Sequence, residues 1–173
     1  MREFRSSEIT AIKDIHNGST PGRRIGLTVG ITEQIPLLQE DDGCLFFAPE
    51  ILYSQEGERG FVLGMNDKGT FYQDYLALPL MLKFYPKDLK SFYIEYGHKL
   101  SYMIYQKSKD IDWAEPNKFD VAACFGMGFN FGSFKNFGLG ARFSLGLLDV
   151  YPEVKGLNFN IGGAITLSYM FGK

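Results

Sequence analysis

From Arg24 to the C-terminus the chain alternates between large apolar residues and small or polar ones, again and again, with a period of two. A period of two is the repeat of a β-strand whose faces meet different surroundings. The last run shows it best. Leu157, Phe159, Ile161, Gly163, Ile165, Leu167, Tyr169 and Phe171 share one side, and Asn158, Asn160, Gly162, Ala164, Thr166, Ser168 and Met170 share the other. The run before it sets Phe137, Leu139, Ala141, Phe143, Leu145 and Leu147 against Gly138, Gly140, Arg142, Ser144 and Gly146. Five more runs follow the rule, at about 119–131, 92–104, 76–84, 45–54 and 25–32. Several exceed the usual strand of a water-soluble domain.

Alternation alone fits two inverse architectures. A soluble barrel of the lipocalin kind turns its apolar side inward and binds a small apolar ligand; a transmembrane barrel turns it outward to lipid. The polar side decides. A water-facing surface is rich in charged residues, but here that side is mostly Gly, Ala, Ser and Asn, with isolated charges. Small residues suit the inside of a narrow barrel. The apolar side is free of charge through five of the seven runs, as lipid demands, because a cation at mid-bilayer costs about 2–4 kcal/mol. The expected fold is all-β: an antiparallel up-and-down transmembrane β-barrel, one domain over residues 1–173.

Bacterial barrels have an even number of strands, short periplasmic turns and longer external loops. Seven runs therefore require an eighth strand, and Phe4–Lys13 is the candidate, although its alternation is poor. Residues 1–23 would form that strand and a loop. With the C-terminus in the periplasm, Asp14–Arg23, Gly57–Gln73 and Lys107–Asn117 fall outside. Gln34–Gly43, Pro86–Lys90 and Gly132–Asn136 close the other end. Tyr53, Tyr96, Tyr102, Tyr105 and Tyr169 are candidates for the aromatic girdles of the two interfaces, with a plain core role for some of them as the equal alternative.

Six inward charges balance: Glu50, Glu95 and Asp120 against Lys83, Lys99 and Arg142. An unpaired buried charge is expensive, so a salt-bridged plug is favoured over an ion path, because an eight-strand barrel is filled by its own side chains.

Other function classes find little support. No run of 18 apolar residues is present, the net charge is −2, and no basic stripe offers a grip on nucleic acid. No metal-ligand cluster, cofactor fingerprint or nucleophile motif occurs. Cys44 and Cys124 fit no metal spacing, and a disulfide is chemically possible in an exported protein. Export needs a leader, yet Met1–Phe4 is followed by polar sequence; the signal is expected to have been removed or never included. His98 stands on the apolar side in mid-strand. Some small outer-membrane barrels are lipid-modifying enzymes with His and Ser toward the membrane, but the runs beside His98 supply neither a hydroxyl nor an acid on that side.

Several segments carry a family resemblance: Ala48–Gly57 (APEILYSQEG), Tyr75–Pro86 (YLALPLMLKFYP), Phe92–Ile104 (FYIEYGHKLSYMI), Leu139–Val150 (LGARFSLGLLDV) and Asn158–Phe171. Together they resemble the PorT-type outer-membrane β-barrel family of Bacteroidetes, over about Arg24 to the end. The resemblance implies an eight-stranded barrel of the OmpA kind in a bacterial outer membrane, with a link to protein secretion and surface export. It departs from the family in lacking the usual leader and clear first strand, and His98 follows Gly97 where relatives often carry Pro. The closing Tyr169-Met170-Phe171 resembles the aromatic-ended strand read by the barrel-assembly machinery, though Gly172-Lys173 follow. The expected function is that of a non-catalytic barrel, needing no cofactor, with outer-membrane lipid around it. Its external loops, with the lone Trp113, would meet a protein partner or surface component.

Overall fold

The computed structural model describes residues 6–17, 24–56, 59–61, 68–89, 91–109, 117–131, 136–148 and 161–171. They form nine antiparallel strands: β1 (Ser6–Asn17), β2 (Arg24–Glu40), β3 (Gly43–Glu56), β4 (Arg59–Phe61), β5 (Lys68–Pro86), β6 (Phe92–Lys109), β7 (Phe119–Phe131), β8 (Phe137–Gly146) and β9 (Ile161–Phe171). Each long strand pairs with its sequence neighbours. β3 pairs with β5, and β9 pairs with β1, so eight strands close into a barrel. The three-residue β4 extends the β5 edge beyond the ring.

The eighth strand is therefore present, at Ser6–Asn17 rather than Phe4–Lys13. Backbone pairing on both sides fixes it, eleven residue pairs to β2 and eleven to β9.

One hydrogen-bonded rung runs from Ile35 through Phe47, Leu82, Tyr96, Phe125, Phe143, Gly163 and Ile15, and returns to β2 at Ile25. The stagger from position 35 to position 25 is the shear of the barrel. Eight strands about 4.8 Å apart with that stagger, at about 3.3 Å per residue, tilt by about 40°. Each residue then climbs about 2.5 Å along the axis, so about ten cross an apolar band of about 25 Å. β5 and β6 overreach it and project beyond the wall with β4.

The connections sort by end. Glu40 and Gly43, Pro86 and Phe92, and Phe131 and Phe137 are strand ends at one end of the barrel; Asn17 and Arg24, Glu56 and Lys68, Lys109 and Phe119, and Gly146 and Ile161 are strand ends at the other. Four connections are shorter than the sequence suggested, Asp14–Arg23 and Lys107–Asn117 because β1 and β6 run on to Asn17 and Lys109. Gln34–Gly43 shrinks to a turn at Asp41-Asp42, because β2 continues through a bulge between Pro36 and Leu38. β5 likewise starts at Lys68 and runs unbroken through Asp74 and Tyr75, opposite a bulge whose extra residue, Ile104, is on β6.

The two faces separate cleanly. Leu27, Leu78, Met127, Ile165 and Leu167 lie exposed on the outside, while Thr28, Ala77, Ala122, Thr166 and Ser168 are buried inside. Phe125 (53% exposed), Leu145 (39%) and Ile161 (40%) all point outward, whereas Glu50 and Glu95 are buried. The inverse, lipocalin-like arrangement is excluded for these residues; Phe159 lies outside the described residues. Among the described residues no helix is long and apolar enough to cross a membrane, so any crossing is made by strands.

Aromatic rings mark the rims. At the short-turn end Phe129, Phe131, Phe137 and Tyr169 form a chain of contacts with centroids 5.2–6.0 Å apart. At the other end Tyr102 pairs in register with Phe119, and the Tyr53 hydroxyl donates to Asp74 Oδ2 at 2.9 Å. Tyr105 lies further out on the β6 extension. Tyr96 corrects the girdle reading. It sits within the wall between Phe92 and Tyr102, tilted against Phe125 at 4.8 Å.

Candidate functional site: the ionic plug of the lumen

The inward residues of β3, β5, β6 and β8 carry the chemistry. Arg142, on β8, grips Glu50 across the barrel with a fork: Nη1 donates to Oε2 and Nη2 to Oε1, each at 2.8 Å. Its Nε donates to Glu95 Oε1 at 2.7 Å. Lys83 Nζ lies 3.6 Å from the other Glu95 oxygen and 5.1 Å from the centre of the Tyr93 ring. All four charged side chains are at least nine-tenths buried. Two cations against two carboxylates give a neutral cluster, with the planar fork suited to a bidentate carboxylate.

Glycines make the space. On β7 and β8, a Cβ at Gly126 would lie 2.6 Å from Glu95 Oε1, and one at Gly128 would lie 2.6 Å from the Tyr93 ring. A Cβ at Gly140 would meet the Tyr93 hydroxyl at 2.8 Å. The bulk of β6 thus fills the room left by the bare backbone of β7 and β8. This answers why so many glycines face inward: they are cut to the size of Tyr93 and Glu95.

Below the plug, toward the short turns, lies a second layer missed in the sequence. Tyr85 packs at 5.5 Å against both Phe46 and Tyr93. Its hydroxyl donates to Gln34 Oε1 at 3.4 Å and accepts from Asn130 Nδ2 at 3.5 Å. Gln34 and Tyr85 fell at the edges of assumed connections, so their inward parity went uncounted. Carrying the alternation two or three residues further on β2 and β5 would have found both.

Of the six charges expected in the lumen, the structure brings Glu50, Lys83, Glu95 and Arg142 together. Lys99 sits four residues past Glu95 on β6, beside a small cavity above the plug. Asp120 is buried further on, opposite Ser101. Both have contacts of their own. Trp113 lies outside the described residues. Cys44 and Cys124 are both free thiols; Cys44 is in register with Tyr85 in the lower layer, and Cys124 with Gly97. His98 faces outward, edge-on to Tyr96 at 5.6 Å, with Leu80 and Ala123 as its cross-strand partners. No group of three or more potential metal ligands occurs among the described residues.

A closed antiparallel barrel, apolar outside and ionic within, is the architecture of an outer-membrane protein. The model of the outer membrane protein β-barrel domain family matches residues 4–151. The chain belongs to this family. Membership places the apolar belt in a bacterial outer membrane. Among solved structures, the outer-membrane enzyme PagL superposes with a TM-score of 0.55 at 16% identity, over 96% of this chain and 99% of PagL. Ail, the attachment invasion locus protein of Yersinia pestis, gives 0.47 at 12% identity, over 99% of this chain and all of Ail. Neisserial surface protein A gives 0.44 at 10%, over 96% and 97%. At these identities the likeness to PagL speaks for the fold alone. No curated protein matches the sequence.

Proposed function

We propose that this protein is a non-catalytic, sealed outer-membrane barrel, a rigid mount that presents its longer connections outside the cell to a protein partner or surface component. The observation that carries the reading is the plug. Arg142, clamped by Glu50 and Glu95 above the Phe46–Tyr85–Tyr93 layer, fills the lumen. With the axis so occupied, binding falls to the loop end, where β4, β5 and β6 project beyond the wall. Connections 57–67 and 110–118, the latter holding Trp113, carry that contact. The segments that resemble the PorT-type family suggest a place in protein secretion or surface export, and the aromatic-ended β9 fits delivery by the barrel-assembly machinery.

The enzyme reading has one point in its favour, the fold shared with PagL. His98 answers it. Around it on the outer face lie Leu80, Tyr96, Leu100 and Ala123; the Tyr96 phenol is the one hydroxyl of these four, and none of them is a carboxylate that could orient the imidazole.

Planar-bilayer recording tests the sealed lumen. The purified barrel is expected to give no stepwise openings in 1 M KCl; regular openings would contradict the plug. Crosslinking in native outer membranes tests the contact. Capture of a surface component should fall at least about fivefold in Trp113→Ala or when 110–116 is replaced by a Gly-Ser linker. Unchanged capture in both would overturn the loop assignment.

A further inference from the structure

Just beyond the plug, on the loop side, the lumen holds a cavity whose described lining residues are Thr28, Ser54, Lys99, Cys124, Arg142 and Ser144, with Leu52, Ala77 and Ala164. It has room of about 30 Å³ for water, and one water needs about 10–15 Å³ on that measure. Size alone does not fill a cavity: apolar ones of larger volume stay dry. The wall decides. A guanidinium has five N–H donors. Arg142 spends three on Glu50 and Glu95, so two remain on a cation whose side chain is 9% exposed. A buried donor without an acceptor is costly. Ser144 offers its hydroxyl nearby, held only by a 3.5 Å contact to the Gly162 carbonyl. Thr28 and Ser54 are joined by a hydrogen bond of 2.7 Å and have further contacts of their own; a hydroxyl oxygen has two acceptor lone pairs.

We infer that this cavity holds one or two ordered waters bound to Arg142, which accept its remaining N–H groups and donate to the Thr28, Ser54 or Ser144 oxygens. The plug is then wet on its loop side and dry on its turn side, where Phe46, Tyr85 and Tyr93 pack. Water is favoured over a small anion because Arg142 belongs to a cluster in which two cations already meet two carboxylates, and Lys99, the other cation of the wall, has a contact of its own. This depends on the plug geometry and not on what the loops contact.

A crystal structure at 1.8 Å or better, from crystals grown in sodium bromide, separates the outcomes. The expected result is a water peak within 3.2 Å of an Arg142 nitrogen and of at least one hydroxyl, with no anomalous signal. An empty cavity, or an anomalous bromide peak there, would overturn the inference. A pair of full-length variants gives an independent reading. Ala164→Ser, which adds a hydroxyl to the wall, is expected to unfold within about 3 °C of the parent, whereas Ala164→Val, which displaces the water, should unfold lower. A rise in unfolding temperature for Ala164→Val would mean that a dry void had been filled, and would contradict bound water.

Discussion

Arg142 holds two carboxylates at once, so its removal strands both in the lumen. Breaking a buried pair by deleting one partner costs about 3–5 kcal/mol. Arg142→Met should lose about that much in urea unfolding from lipid vesicles; a loss below about 1 kcal/mol would show that the cluster is solvated. The glycine fit is testable in the same assay. Gly128→Val drives a side chain into the Tyr93 ring, and overpacking costs about 1–3 kcal/mol. Adding Tyr93→Ala should recover part of the loss, a coupling expected for residues in contact. Strictly additive losses would argue against the contact. Which residues face inward was legible from parity alone, Glu50, Glu95 and Arg142 among them. Which of them meet was not. Arg142 and Glu50 are 92 positions apart, and their heights in the barrel follow from the stagger of all eight strands. No single strand's sequence states that stagger.

Among the elements, β7, β8 and β9 could be read almost entirely, since one side of each faces lipid and tolerates only apolar residues. The misreadings have local causes. A bulge adds one residue and reverses parity beyond it, so Ile35-Pro36-Leu37-Leu38 looked like a break in β2. The stretch before Tyr75 looked like a loop because Lys68, Thr70 and Asp74 stand on the side that carries Leu76 and Leu78 further on. Pro36 carries no N–H and suits such an irregular position. β1 was hard to recognise for another reason: its two backbone ladders place it whatever its alternation. Position along a strand sets the penalty for charge. Leu80, two residues from Leu82 on β5 and in register with His98, lies near the middle of the apolar band, whereas Tyr102 lies at its rim. Leu80→Arg should cost about 2–4 kcal/mol and Tyr102→Arg about 0–1 kcal/mol. Equal losses at the two sites would contradict the assigned height of the band.

For the whole molecule, closure matters most. A ring in which every long strand has two partners leaves no long edge exposed within the bilayer, so it should survive detergent and unfold only on boiling. Unheated samples are expected to migrate faster on gels than boiled ones. The direction of the side chains has a sharper test. The chain has a single Trp, at position 113, so a Trp113→Phe background has no tryptophan emission on excitation at about 295 nm, where tyrosine barely absorbs. Phe125→Trp in that background, reconstituted in vesicles of lipid brominated near the middle of the acyl chain, should emit at short wavelength and lose most of its fluorescence to quenching. Emission unchanged by the brominated lipid would put position 125 away from the bilayer, and the barrel would not be a membrane-spanning one.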